Sequence, residues 1–302
     1  MTKLNALVFV TGVLILQACG DGSDSVSSCK GLSTESGYFP GLTLFSGGME
    51  RSYILYVPVI DNPSRPMPLV FNFHGLGSTG EGQFSYSEFA ALADIHKFIV
   101  VSPDGIGNSW NAGECCGAAV EAAIDDVGFT ADMIAQVSSE YCVDPNRTYA
   151  SGMSNGGYMS YRLACEMADR FAAIGPVAAS NRTVSCAPSR PVPMIAMNGT
   201  LDILVDYSQA ASDAEAWAAA NQCSPESTVV YQQGDVSCVS YNECAQTATT
   251  KFCTVDEGGH TWPGAIDIFE LDPVQYFWAG KTTQDIDGSA EIWKFFSEHP
   301  RP

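Results

Sequence analysis

Gly152-Met153-Ser154-Asn155-Gly156 is the stretch on which the reading of this chain turns. It has the form G-x-S-x-G and lies between an apparent strand, residues 147–151, and an apparent helix from Asn155 to about residue 168. A serine at a sharp strand-to-helix turn has its Oγ pushed out of the backbone path toward a substrate. Glycines two before and two after it let such a turn close without side-chain clashes. The helix that follows points free N–H groups and a partial positive charge at the place where an oxyanion would form. The pentapeptide alone also describes an ordinary glycine-rich turn. The strand before it and the helix after it favour the catalytic serine.

Outward from the serine, short apolar strands alternate with helices. Residues 51–58 alternate like a half-buried strand, and Leu69-Val70-Phe71-Asn72-Phe73 is a continuous apolar run of the kind found inside a sheet. That run ends in His74-Gly75-Leu76-Gly77-Ser78-Thr79-Gly80. A glycine-rich turn directly after a central strand, and before the serine in the chain, can supply an oxyanion donor. It also reads as a plain loop entering a helix. Further strands are expected at 98–103, 171–177 and 194–198, and helices at 89–97, 125–141 and 290–299. Residues 144–146 read as a turn, and residues 223–253 as polar, cysteine-rich and strand-like without a clear order. The alternation predicts an α/β fold with a mostly parallel central sheet and helices on both faces.

A serine nucleophile needs a base, and the chain has four histidines. His299 falls at the end of the last helix, His96 where a helix passes into a strand, and His74 inside the glycine-rich turn. His260, in Gly258-Gly259-His260-Thr261-Trp262-Pro263-Gly264, lies late in the chain in a glycine-rich loop after a strand at 252–255. The third member should be a carboxylate after the 194–198 strand, and Asp202 stands in that turn with Asp206 as its rival. The resulting order Ser154, Asp202, His260 is that of α/β-hydrolases.

Taken together, these motifs resemble the polyhydroxybutyrate depolymerase-like esterases, a group overlapping the feruloyl and acetylxylan esterases of carbohydrate esterase family one. The resemblance runs through His74-Gly75-x-Gly77-Ser78, the 110–117 segment and Gly152-Met153-Ser154-Asn155-Gly156-Gly157. It continues through Tyr161-Arg162-Leu163-Ala164-Cys165-Glu166, Asn198-Gly199-Thr200-x-Asp202 and Gly259-His260-Thr261-Trp262-Pro263-Gly264. It implies an α/β-hydrolase-fold serine esterase with Ser154 as nucleophile, Asp202 as acid and His260 as base. The backbone N–H groups of Leu76 and Asn155 would hold the oxyanion. Two positions depart from the group: Asn198 stands where histidine is usual, and Leu76 where cysteine is frequent. The substrate would be an ester from a polysaccharide (feruloyl or acetyl) or from a polyhydroxyalkanoate-type polyester, with no cofactor and no metal. Trp110 and Trp262 either stack on an acyl group or sugar ring or pack the core. A serine peptidase and a non-catalytic glycan-binding surface lipoprotein are the competing readings.

Composition narrows the setting. A chain of 302 residues, 46% of them hydrophobic, can bury one large core, and a single catalytic domain is expected over residues 29–302, acting as a monomer. A formal net charge of −20 repels nucleic acid and anionic membranes, so neither is an expected partner. Eleven cysteines suit an exported chain. Setting Cys19 aside leaves ten, enough for five disulfides whose connectivity the sequence does not give. Adjacent Cys115 and Cys116 are expected to bond elsewhere, since bonding each other strains the peptide between them. The absence of any C-x-x-C pair and the scattered histidines argue against a zinc site.

The front of the chain reads as an export signal. Lys3 precedes an apolar run, residues 7–16, that is too short to span a membrane. Leu16-Gln17-Ala18-Cys19 then resembles the lipobox of bacterial lipoproteins. On that resemblance residues 1–18 are removed, Cys19 becomes a lipidated N-terminus, and membrane contact is made only through that anchor. Gly20, not Asp, follows Cys19, so the inner-membrane retention signal is missing and the outer membrane or cell surface is expected. An ordinary secretory signal cut nearby is the alternative. Residues 20–28 then read as a polar tether.

Overall fold

The structure, a computed structural model, describes residues 29–302; the signal-peptide, Cys19 and tether readings lie outside the described residues. Ten strands form one sheet: β1 (Gly37–Ser46), β2 (Met49–Val57), β3 (Met67–Phe73), β4 (Ile99–Pro103), β5 (Val143–Met153), β6 (Ala173–Val177), β7 (Met194–Gly199), β8 (Ser227–Gln233), β9 (Val236–Tyr241) and β10 (Thr250–Val255). Their spatial order is β1-β2-β4-β3-β5-β6-β7-β10-β9-β8. The six central strands, from β4 to β10, pair in parallel. The two strands at each edge are antiparallel. The expected parallel sheet is therefore its centre, flanked by hairpins.

The central strands are buried on both faces, and their alternation sorts side chains into two cores. Leu69, Phe71 and Phe73 of β3 enter one hydrophobic cluster, and Val70 enters the other. In β7, Met194 and Ala196 face the first, and Ile195 and Met197 the second. Among the described residues there are eight α-helices: α1 (Gly80–Ser87), α2 (Phe89–His96), α3 (Ala118–Glu121), α4 (Asp126–Glu140), α5 (Asn155–Glu166) and α6 (Tyr207–Ala220) between strands, and α7 (Ile268–Leu271) and α8 (Gly288–Glu298) after β10. The first cluster takes Phe129, Met133 and Val137 of α4, Tyr161 and Leu163 of α5, and Trp217 of α6. The second takes Phe89 and Ala93 of α2 and Ile292, Trp293, Phe295 and Phe296 of α8. Each large side chain so buried stabilises the fold by about 1.5–3 kcal/mol.

Several local expectations are corrected. Residues 144–146 do not turn but belong to β5, which begins at Val143. The 223–253 stretch is strand-like as expected, and the order left open is an antiparallel hairpin, β8–β9, laid against β10. Cys115 and Cys116 do bond each other, across a cis peptide that brings their Cα atoms to 3.1 Å. The expectation that each bonds elsewhere is thus corrected: neighbouring Cα atoms are closer across a cis peptide than the ~3.8 Å of a trans one. The other disulfides among the described residues are Cys29–Cys142, Cys165–Cys186, Cys223–Cys244 and Cys238–Cys253.

Candidate active site

The parallel strands present their C-terminal ends on one side of the sheet, the side where open α/β sheets bind ligands. His74 follows β3, Ser154 follows β5, Asp202 follows β7 and His260 follows β10. β3 lies between β4 and β5, so the chain runs outward in one direction from β3 and in the other from β5. The crevice between those two strand ends holds the Gly75-Leu76 turn and Ser154.

Ser154 sits at φ 54°, ψ −121°, a conformation rare for a residue with a side chain. Such a backbone costs about 1–3 kcal/mol and persists where surrounding structure enforces it. The enforcement here is close packing of backbone on backbone. A Cβ on Gly152 would meet the Phe73 carbonyl oxygen and the Gly156 backbone, and one on Gly156 would meet the carbonyls of Phe73 and His74. The Ser154 N–H is tied to the Val177 carbonyl at 2.9 Å, and α5 begins at the next residue.

The Asp202 and His260 turns are joined by another close approach. Gly199, at the end of β7, touches the backbone of Gly258 and Gly259 with no room for a Cβ, and the Leu201 N–H donates to the Gly258 carbonyl at 2.9 Å. This places His260 Nδ1 2.7 Å from Asp202 Oδ2. The other oxygen, Oδ1, accepts from the N–H groups of Leu204 and Val205 at 2.8 and 2.9 Å. Asp206, the rival carboxylate, instead caps α6, accepting from the Gln209 N–H and the Ser208 hydroxyl. The Ser208 hydroxyl and then the Gln209 N–H lower its pKa below the usual carboxylate range.

Ser154 and His260 line one cavity of about 680 Å³ together with Gly75, Leu76 and the Cys115–Cys116 pair. Four aromatic side chains, Tyr86, Tyr158, Tyr276 and Trp278, complete its wall. Burial raises the pKa of both Tyr86 and Tyr158, which keeps them neutral. Among the described residues, no Lys, Arg, Asp or Glu lines this cavity. Nor, among the described residues, is any group of three or more His, Cys, Asp or Glu placed to hold a metal ion.

Trp110 and Trp262 do not reach the cavity. Trp110 is 0% exposed and packs edge-on against Phe73, and Trp262 is 1% exposed and packs edge-on against Phe89. Their indole N–H groups are satisfied inside the protein, by the His74 carbonyl at 2.9 Å and the Ser289 hydroxyl at 2.9 Å. Of their two readings, the core-packing one holds. The tryptophan at the site is Trp278, whose ring centroid lies 6.2 Å from that of His260. It sits in an irregular segment with no periodicity to mark it; the signal available was the aromatic run Tyr276-Phe277-Trp278.

With this geometry in view, comparison with known proteins places the chain. Residues 51–256 match the family described as Esterase PHB depolymerase, from β2 through β10. The chain belongs to that family. Feruloyl esterase B of Piromyces equi is 32% identical over 234 residues, covering 70% of this chain but 42% of that protein. The chain thus spans less than half of that relative. Feruloyl esterase D of Neurospora crassa is 27% identical over 263 residues, covering 83% of this chain and 82% of that one. Among solved structures, an acetyl xylan esterase from Aspergillus awamori superposes with a TM-score of 0.57 at 17% identity, over 76% of this chain and 94% of that one. At that identity the likeness is one of fold, and the fold is that of an α/β-hydrolase.

Proposed function

We propose that the protein is an exported serine carboxylic-ester hydrolase that cleaves neutral esters with a planar aromatic acyl group, of the hydroxycinnamoyl (feruloyl) type, from polysaccharide. The observation that carries this reading is the buried Asp202–His260 pair opening onto the same cavity as Ser154. Ser154 Oγ attacks the ester carbonyl carbon while its proton passes to His260 Nε2. Asp202 holds the proton on Nδ1 and stabilises the imidazolium. The tetrahedral oxyanion is held by the N–H groups of Leu76 and Asn155. As the intermediate collapses, His260 returns the proton to the departing alcohol oxygen. A water deprotonated by His260 then attacks the acyl-enzyme carbonyl, and as the carboxylic acid departs His260 returns that proton to Ser154 Oγ.

The wall of the cavity supports the choice of acyl group. Aromatic rings recognise a planar aromatic acyl group by offset or edge-on contact, and four of them surround a space far larger than an acetyl group needs. A cavity that no cation lines among the described residues, on a chain of net charge −20, offers nothing to a free carboxylate, which favours an ester within a neutral polymer or oligomer. The feruloyl esterases among the relatives point the same way. A panel of methyl ferulate, acetylated xylan and short hydroxybutyrate oligomers tests this reading. The highest kcat/KM is expected on methyl ferulate, and a higher value on acetylated xylan or the oligomers would replace that substrate.

Export is supported by the five disulfides that pair all ten cysteines of residues 29–302. Lipid attachment at Cys19 follows from the lipobox-like Leu16-Gln17-Ala18-Cys19. Acyl chains on that residue would hold the catalytic domain at a membrane surface. Metabolic labelling with a fatty-acid analogue should mark the wild type and not Cys19→Ser; unlabelled wild type would leave a plain secretory signal.

A further inference from the structure

The two N–H groups assigned to the oxyanion come from turns far apart in sequence, after β3 and after β5. One run of hydrogen bonds joins them. The Asn155 side-chain amide pairs with both backbone groups of Trp110: Oδ1 accepts from the Trp110 N–H at 2.6 Å, and Nδ2 donates to the Trp110 carbonyl at 3.0 Å. The Trp110 indole N–H then donates to the His74 carbonyl at 2.9 Å. His74 Nδ1–H donates to the Gly75 carbonyl at 2.7 Å, and Nε2 accepts from the Gly105 N–H at 3.0 Å. Leu76 follows directly. Asn155, Trp110 and His74 are all 0% exposed.

We propose that Asn155, Trp110 and His74 are positioning residues, a single hydrogen-bonded brace that fixes the distance between the Leu76 and Asn155 N–H groups. The inference rests on the esterase reading and adds to it a reason for three residue identities that the triad leaves unexplained.

The chemistry of Asn155 is specific. A side-chain amide carries one acceptor and two donors in a plane, so it can pair with the N–H and the C=O of one residue at once. Aspartate would set an oxygen against the Trp110 carbonyl, and alanine would leave both Trp110 groups without partners. The residue between the serine and the following glycine is thus constrained here by its side chain as well as its N–H. Trp110 is in turn referenced to the core. Its neighbour Asn111 donates its N–H to Asp126 Oδ2 at 2.7 Å, and Asp126 is held by Arg51 at 2.8 Å in a fully buried ion pair.

An oxyanion donor matters most when charge has moved onto the carbonyl oxygen, so a misplaced donor lowers kcat and leaves substrate binding nearly unchanged. Removing a donor outright costs about 10²–10³ in kcat, and displacing one should cost less, about tenfold or more. Asn155→Ala, Trp110→Phe and the double variant are assayed with p-nitrophenyl acetate. Active sites are counted by fluorophosphonate labelling, and a boronic acid serves as mimic of the tetrahedral adduct. The expected result is a kcat per labelled site down about tenfold or more, KM within about twofold, and boronate affinity reduced by the same factor as kcat. The double variant should be little worse than the worse single one, as for residues acting as a unit.

A side chain that merely supported the fold would lower the melting temperature and the number of labelled sites but not kcat per site. If Asn155→Ala fails to fold, Trp110→Phe decides, since it keeps an aromatic ring in the core and removes the indole donor. Either folded variant with kcat per site within about twofold of wild type, or with its loss confined to KM, overturns the brace. That outcome is distinct from failure of the esterase reading, in which the wild type itself does not hydrolyse the ester or Ser154→Ala hydrolyses it equally well.

Discussion

His260 Nδ1 lies 2.7 Å from Asp202 Oδ2, and the two side chains are 4% and 0% exposed. The second carboxylate oxygen is occupied by two backbone N–H groups, so the carboxylate cannot swing away from the ring. In the proposed mechanism a carboxylate held in this way keeps the proton on Nδ1 and leaves Nε2 as the ring nitrogen for Ser154. The same relationship separates Asp202 from Asp206, four residues on, whose carboxylate serves the first turn of α6.

Asp202→Asn should lower kcat by on the order of 10³–10⁴, because an amide cannot hold the imidazole in the required tautomer. Asp206→Asn should change kcat by less than about threefold, since asparagine also caps helices. Steady-state kinetics on both variants checks the ranking, and the reverse order would move the acid to Asp206.

Trp278→Ala should raise KM for methyl ferulate by about tenfold, the loss of one aromatic contact of about 1–1.5 kcal/mol. Its melting temperature should change little, because the side chain is only partly buried at the cavity wall. Trp262→Ala should do the opposite, destabilising the fold by about 3–5 kcal/mol through loss of a buried ring. Denaturant melts beside KM values separate the two. Equal effects on both quantities in both variants would contradict the assignment.

Burial lowers the pKa of His74 from its ordinary value of 6.5. A group whose folded pKa is depressed contributes stability above its unfolded pKa and loses it as pH falls toward the folded value. The geometry gives the same sign, since protonated Nε2 would present a hydrogen to the Gly105 N–H. Nearby Asp104 moderates the shift without reversing it. Burial depresses His299 in the same way, so some acid sensitivity should remain without His74. His74→Asn should therefore melt lower than wild type at pH 8 but lose less further stability between about pH 6.5 and 5. Parallel melting curves across that range would contradict a neutral buried His74.

Reductant should destabilise the protein. Cys29–Cys142 closes a loop with a sequence separation of 113, and cross-links of that length contribute up to about 5 kcal/mol in the chain-entropy account. Alkylation and intact mass should find at most one free thiol in unreduced protein, that of Cys19 if unmodified. Ten free thiols would contradict the paired cysteines.

How much the sequence disclosed follows from where the physical signal was strong. Strands β3, β4, β6 and β7 are buried on both faces, and their largely apolar runs mark them. The elbow was legible because glycine is the residue that tolerates the approach of Phe73 and His74 backbone. Strand β1 was not, since it lies at the sheet edge with a register shift between Phe39 and Leu42 and carries many exposed residues. The place of β8 within the strand-like 223–253 stretch was not legible for a similar reason, since it is an edge strand with mostly exposed residues. Trp110 and Trp262 illustrate a different limit. A tryptophan in a glycine-rich loop looks the same in sequence whether its N–H faces a substrate or a buried carbonyl. Trp278 was missed because the aromatic run at 276–278 has no periodicity or motif that ties it to His260. The Cys115–Cys116 bond was misread because the expectation assumed a trans peptide.

The central claim is that Ser154 is the nucleophile, and one comparison tests it most directly. Wild type and Ser154→Ala are each given methyl ferulate, and each is exposed to a fluorophosphonate followed by peptide mass mapping. The account predicts a single label on Ser154 of the wild type and loss of hydrolysis by several orders of magnitude in the variant, with an almost unchanged melt. Retention of more than about a tenth of the wild-type rate, a loss below about 1.4 kcal/mol, would contradict it.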